Sequence, residues 1–427
     1  MKVKLSQKIF KEGILVLITN IFSVLINIFS VIIISSKLNL SQYGSLALAL
    51  TFQSFFLVVF FGSINNGVLR ISSLSIQLNR LSEFINLTLK TSFFTAVILL
   101  LCMIILVLIF IIFGNTKFSL PFIIITITSI ITGIGDFLKS IILSLRDRLN
   151  FLILKLIEGG LIIFFLWYIT FDNYIYVFLI YSFTYLISLI ISILLFKKSL
   201  FSFSFLFSRR DFYWIKRILN YSQPFLIWGG FGWAQQISTK WALDIFVSRS
   251  DLGLFNALFQ IGYSPVIIFF GVLMNFITPI IFQKINPNSL NNDSKMFLKN
   301  FLLVCSLAFV FLILIVLIMI PFSSVIIDLI FPEDYKQISK YLPYMILASG
   351  LYSVGNLLTN IPFSLSSPKV LLFSSIFSSI IGVILSFSLV YFLGFKGGVY
   401  ALILHAIIYS SLTFFSVIKT YETITIS

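Results

Sequence analysis

The chain has 427 residues, 59% of them hydrophobic and only 10% charged, with a mean hydropathy of +1.11. A soluble domain is about half apolar and a quarter charged, so this composition excludes an ordinary water-soluble protein and describes an integral membrane protein. The net charge of +15 does not point to nucleic acid, because the Lys and Arg sit in short loops between apolar runs, where they set membrane topology. Cys102 and Cys305 both lie inside apolar runs. That placement supports neither a disulfide framework nor a metal cluster.

Taken in order, Lys2, Lys4, Lys8 and Lys11 precede an apolar run from Gly13 to Ser35. The run is too long for a signal peptide and has no small-residue cleavage site after it, so it predicts a first transmembrane helix. Its Asn20, Ser23, Asn27 and Ser30 recur at helical spacing and form one polar stripe. Further spans are predicted at 43–64, 85–113, 118–145, 150–170, 174–196, 219–247, 252–282, 300–324, 341–362, 370–393 and 398–420. That gives about 12 transmembrane helices, with both termini on one side. On that side fall 21 of the 29 Lys and Arg. Lys37, Lys117, Arg249, Lys336, Lys340 and Lys396 fall on the other, and Lys139 and Lys240 lie within the membrane. The asymmetry places both termini in the cytoplasm.

The basic stretch 197–218 divides the chain into an N-terminal six-helix lobe, 1–196, and a C-terminal six-helix lobe, 219–427. It reads as a topogenic cytoplasmic linker rather than a lipid-docking element. Gly44, Phe61-Gly62 and Asn66 recur at one constant offset as Gly253, Phe270-Gly271 and Asn275, in the second helix of each half. An even number of spans per half makes such a repeat parallel, about an axis along the membrane normal, with substrate sites near the midplane between the halves.

Polar residues inside the spans mark the candidate site. Gln236, Lys240 and Asp244 are four residues apart and share roughly one helix face. A charged side chain at a membrane centre costs at least ~2.5 kcal/mol, so such groups face protein or water rather than lipid. Asp244, one turn from Lys240, is its candidate counter-ion. Asp136 lies near Lys139, and both carboxylates are candidates for ion coupling. Asn256, Gln260 and Ser264 mark the eighth span; Tyr352, Asn356 and Asn360 mark the tenth. Interhelical hydrogen bonding accounts for Ser and Asn taken singly, whereas a buried ammonium needs an anion or water. Arg70 closes the second span, where snorkelling to the interface competes with a ligand role. His405 reads as a packed imidazole. A glycine-rich phosphate loop, His/Cys metal spacing and a nucleophile elbow are all missing from the sequence. The acidic residues Asp328, Glu333 and Asp334 occupy an outer loop too small for a catalytic domain. The expectation is a non-enzyme with no cofactor and no metal.

The run Tyr221-Ser222-Gln223-Pro224-Phe225-Leu226-Ile227-Trp228-Gly229-Gly230-Phe231-Gly232-Trp233 resembles the seventh helix of Wzx-type polysaccharide flippases. These belong to the multidrug/oligosaccharidyl-lipid/polysaccharide (MOP) exporter superfamily. Thr239-Lys240-Trp241-Ala242-Leu243, Leu252-Gly253 and Thr278-Pro279-Ile280 continue the resemblance. In the N-terminal half, Leu40-Ser41-Gln42-Tyr43-Gly44, Phe61-Gly62 and Asn66-Gly67 to Arg70 do the same. Thr239 stands where the family often carries an acidic residue, which weakens any role for that carboxylate here. The resemblance implies an all-α, V-shaped transporter of two six-helix lobes related by a parallel pseudo-twofold. Its substrate would be an oligosaccharide repeat unit on undecaprenyl pyrophosphate, passed from the inner to the outer leaflet of a bacterial cytoplasmic membrane by alternating access. Substrate-binding candidates are Lys240, Arg70, Lys139, Asn20, Asn27, Gln236, Asn256, Gln260 and Asn356. Partners would be membrane lipid and the polymerase and glycosyltransferases of the same pathway, with no nucleic acid. Competing readings are a drug/cation antiporter of the same superfamily, a lipid II flippase and a membrane polysaccharide polymerase.

Overall fold

The computed structural model describes residues 2–113, 119–145, 147–196, 209–284, 292–364 and 369–426. Every element among them is helical. In chain order, α1 is Lys2–Lys37. Next come α2 (Leu40–Phe55), a π-helical turn (Phe56–Gly62) and α3 (Ser63–Gln77). Then follow α4 (Leu81–Ile112), α5 (Ser119–Ser144), α6 (Arg148–Tyr168) and α7 (Tyr174–Leu195). The C-terminal half opens with α8 (Arg209–Phe246) and α9 (Arg249–Leu258), followed by a second π-helical turn (Phe259–Tyr263) and α10 (Ser264–Lys284). After α11 (Asn292–Ile330) come a 3-10 helix (Glu333–Tyr341), α12 (Leu342–Leu358), α13 (Asn360–Ser364), α14 (Lys369–Leu393) and α15 (Phe395–Ile426). With backbone groups bonded inside the helices, the chain meets the main demand of the bilayer.

Among the described residues, 10 helices are long and apolar enough to cross a membrane. They correspond to predicted spans other than 219–247 and 341–362. Both of those stretches are helical too, and they fall short for different reasons. In α8 the apolar run is interrupted by Gln223, Gln235, Gln236, Lys240 and Asp244. α12 has 17 residues, about 26 Å at 1.5 Å per residue, and stands between the 3-10 helix and α13. The two helices that depart most from a lipid-like composition carry much of the candidate site.

The halves share more than a few identities. In each, the second span is broken by a π-helical turn, a feature that recurs at functional sites because it re-aims the side chains that follow. The third spans, α4 and α11, each bury only 17% of their most apolar window. Leu101, Ile105 and Ile112 on α4, and Leu307, Leu317 and Leu329 on α11, are exposed, as lipid-facing residues are.

Two compact units emerge, and their limits do not coincide with the basic stretch: residues 1–26 with 45–233, and residues 27–44 with 234–427. Residues 197–208 of that stretch lie outside the described ones. Packing explains the division inside α8. In unit 1, Trp214 packs edge-on against Phe84 at 5.8 Å, Lys90 pairs with Asp211 at 2.9 Å, and Trp233 Nε1 donates to Thr51 O and Ser54 Oγ, both at 3.1 Å. The core of this unit gathers Phe61, Phe84, Phe137, Leu138 and Ile141. In unit 2, Thr239 and Ser386 share a hydrogen bond of 2.9 Å, and Gly44 and Gly253 meet the facing backbone. A side-chain carbon on Gly44 would lie 1.9 Å from Arg249 O, and one on Gly253 2.3 Å from Leu40 O. The repeat-related glycines thus let α2 and α9 cross at backbone distance, the small-residue packing typical of membrane helices.

Candidate functional site

In unit 2 the site is built on Lys240. Four turns of α8 past Pro224, this lysine is 8% exposed, and Nζ donates to Asn256 Oδ1 at 2.8 Å. It also stands 4.7 Å from the centre of the Phe259 ring. Asn256 is on α9 and Phe259 opens the π-helical turn; three residues apart, they share a helix face and bring an amide and an aromatic ring to one ammonium. Phe259 in turn stacks on Tyr263 at 4.5 Å. Among the described residues no carboxylate pairs with Lys240. Asp244, the expected counter-ion, instead holds Arg249 through two contacts of 2.9 and 3.2 Å. Asp244 faces the helix start at Arg249 rather than the turn that carries Lys240, and the guanidinium takes both its oxygens.

Gln260 lies within the same π-helical turn and receives a long 3.4 Å contact from Asn27 Nδ2. Gln236 is exposed on the helix face beside Lys240. Nearby in sequence, Gln235 turns the other way. Its Nε2 is buried without a partner, as is Nδ1 of His405, and both side chains pack against Gly382. Around them, Tyr352 lies 4.7 Å from Tyr409 and 5.9 Å from His405. Asn356 Oδ1 accepts the Tyr409 hydroxyl at 2.7 Å. Amide and aromatic side chains of this kind suit hydroxyl-rich ligands, through hydrogen bonds and ring contacts.

Unit 1 carries a different arrangement. Lys139 on α5 is 4% exposed and pairs with Glu158 on α6 at 2.5 Å and with Asp136 at 3.5 Å. Glu158 also takes Lys155 at 3.2 Å and the Ser188 hydroxyl at 3.2 Å. Two lysines and two carboxylates form a neutral network beside the Tyr185 ring. Lys139 is therefore already committed, and Glu158, absent from the sequence candidates, is its centre. The signal was readable: Lys155 and Glu158 stand one turn apart inside the apolar span 150–170. Asp136 keeps a side chain 42% exposed. Asn20 donates to Val16 O at 2.8 Å within its own helix, which satisfies it locally. Arg70 is on α3, with its side chain outside the described residues.

A scan against protein-family profiles finds no match, and a search of curated sequences finds none. Solved structures do match, along nearly the whole chain. One described as the lipid II flippase MurJ in an inward closed conformation has a TM-score of 0.64 at 16% identity, covering 95% of this chain and 87% of that one. An inward-facing multidrug resistance MATE family transporter of the MOP superfamily gives 0.64 at 14%, covering 96% and 99%. An outward-facing one gives 0.66 at 14%, covering 97% and 95%. At identities this low, the TM-scores and coverage show a common fold and nothing finer. The chain is a multi-pass helical membrane protein with the architecture of MOP-superfamily transporters.

Proposed function

We propose that the protein is a flippase that moves undecaprenyl-pyrophosphate-linked oligosaccharide repeat units from the inner to the outer leaflet of a bacterial cytoplasmic membrane, by alternating access, for surface polysaccharide synthesis. The observation that carries this reading is the environment of Lys240. Of the buried lysines among the described residues, Lys90 and Lys139 have carboxylate partners, while Lys240 has only an amide oxygen and a ring. A desolvated ammonium without a counter-ion is a site for an anion. A diphosphate supplies that anion, and the amides and rings of Asn256, Gln260, Asn356, Tyr352 and Tyr409 supply the chemistry for sugars. The marked excess of Lys and Arg on one side supports cytoplasmic termini.

A drug/cation antiporter is the second reading, and the partly exposed Asp136 favours it, since a cation site needs an accessible carboxylate. Deleting the gene and restoring it separates the two. The flippase reading expects surface polysaccharide to vanish and lipid-linked repeat units to accumulate on the cytoplasmic leaflet, with rescue by wild type but not by Lys240→Ala at equal membrane level. Intact polysaccharide with altered drug sensitivity would favour the antiporter. Units that cross but fail to join would indicate a polymerase.

A further inference from the structure

A second cluster of cations lies away from Lys240, at the end of unit 2 opposite the C-terminus of α15. There an open cavity of about 220 Å3 is lined by Lys340, Lys396, Gln337, Asp251, Tyr341 and Phe395, with Leu254, Ile338 and Leu393 completing its wall. At about 30 Å3 per liquid water it has room for about seven waters. That is enough for one or two phosphate groups and too small for an oligosaccharide.

The local structure builds this site. In a 3-10 helix side chains three apart eclipse one another. Tyr335, Ile338 and Tyr341 therefore form one buried row, and Glu333 pairs with Lys336 at 3.3 Å in another. The third row, with Gln337 and Lys340, faces the cavity. The opposite wall depends on Gly394, whose φ of +58° lets a single residue join α14 to α15 and sets Leu393, Phe395 and Lys396 around it. Phe395 packs on Tyr341 at 5.3 Å. Asp251 brings one negative charge, held at the start of α9 by the Ser248 hydroxyl at 2.5 Å, against the two positive charges of Lys340 and Lys396. Among the described residues neither Lys340 nor Lys396 has an ion-pair partner, whereas Lys336 does. On a side expected to hold few basic residues, two lysines without ion-pair partners line one cavity with aromatic and aliphatic walls, and their charge exceeds that of Asp251.

We infer that this cavity is a binding site for an anionic phosphate headgroup attached to an apolar chain, the phosphate on Lys340 and Lys396 and the first carbons along Leu393, Phe395 and Tyr341. The headgroup belongs either to the transported diphosphate lipid on arrival in the outer leaflet, which rests on the flippase reading, or to a resident anionic phospholipid.

Native mass spectrometry of the delipidated full-length protein tests this, with undecaprenyl diphosphate, phosphatidylglycerol and phosphatidylcholine added separately. Wild type should retain the two anionic lipids over phosphatidylcholine. Lys340→Gln with Lys396→Gln should weaken that retention about tenfold, and Lys336→Gln should leave it unchanged. Preference for undecaprenyl diphosphate assigns the cavity to cargo; equal retention of phosphatidylglycerol assigns it to resident lipid. Undiminished anionic-lipid retention in the double variant, or equal retention of phosphatidylcholine by wild type, would overturn the inference. The assay reads no transport, so its failure leaves the flippase reading to the complementation experiment.

Discussion

Lys139 in unit 1 and Lys240 in unit 2 are both buried ammonium groups near the C-terminal ends of long helices, and their surroundings could hardly differ more. Lys139 is closed into a network with Glu158, Asp136 and Lys155. Lys240 rests on one amide oxygen and one ring. Two charges of each sign in contact neutralise one another and leave nothing for a ligand to satisfy. A lone ammonium stores an unmet electrostatic demand, which an incoming anion meets. On the proposed reading the first region is structural and the second receives the ligand, as expected when active sites are held away from their stability optimum.

That contrast can be broken, beginning with the largest expected change. Glu158→Gln removes the carboxylate that Lys139 and Lys155 share and leaves Lys139 with Asp136 alone at 3.5 Å. Removing one partner of a buried pair costs about 3–5 kcal/mol, so the folded fraction in detergent, read by thermal unfolding, should collapse. A variant that unfolds at the wild-type temperature would show the network to be dispensable. Gly253→Val comes next. The backbone of α2 leaves no room for a side chain there, and overpacking costs about 1–3 kcal/mol, visible as a lowered unfolding temperature. Relief of that loss by a compensating change outside the α2–α9 crossing would sever the argument from the glycine pair.

Smaller still, Thr239→Val removes the hydrogen bond to Ser386, worth ~0.6 kcal/mol on average in membrane proteins. Its unfolding temperature should move barely, and transport should persist. At the end of the scale, Lys240→Met removes a desolvated charge and should leave stability level or raised, while polysaccharide export is lost. Equal loss of stability and export would place Lys240 with Lys139 as a structural cation. Export retained by Lys240→Met would remove it from the mechanism.

Much of this was legible before folding. Apolar runs long enough to span a bilayer give the helices directly, because lipid leaves the backbone few alternatives. The repeat showed itself through Gly44 and Gly253, since close backbone approach tolerates little else. Lys240, Asn256 and Gln260 stood out as polar groups where polarity is costly, and the structure brings Lys240 and Asn256 into contact. Partner choice was not legible. Asp244 is one turn from Lys240 in sequence yet bonds Arg249 beyond the helix break, and Glu158 reaches Lys139 from the next helix.

The sequence alone therefore determined the class of molecule, the helices and the residues whose burial demands an explanation, because hydropathy and period are properties of short stretches. Only the tertiary structure decided which of those residues neutralise each other and which stay unmatched. Ion pairing depends on angstrom distances between helices, and a π-helical turn or one left-handed glycine changes them without any sign in the local pattern.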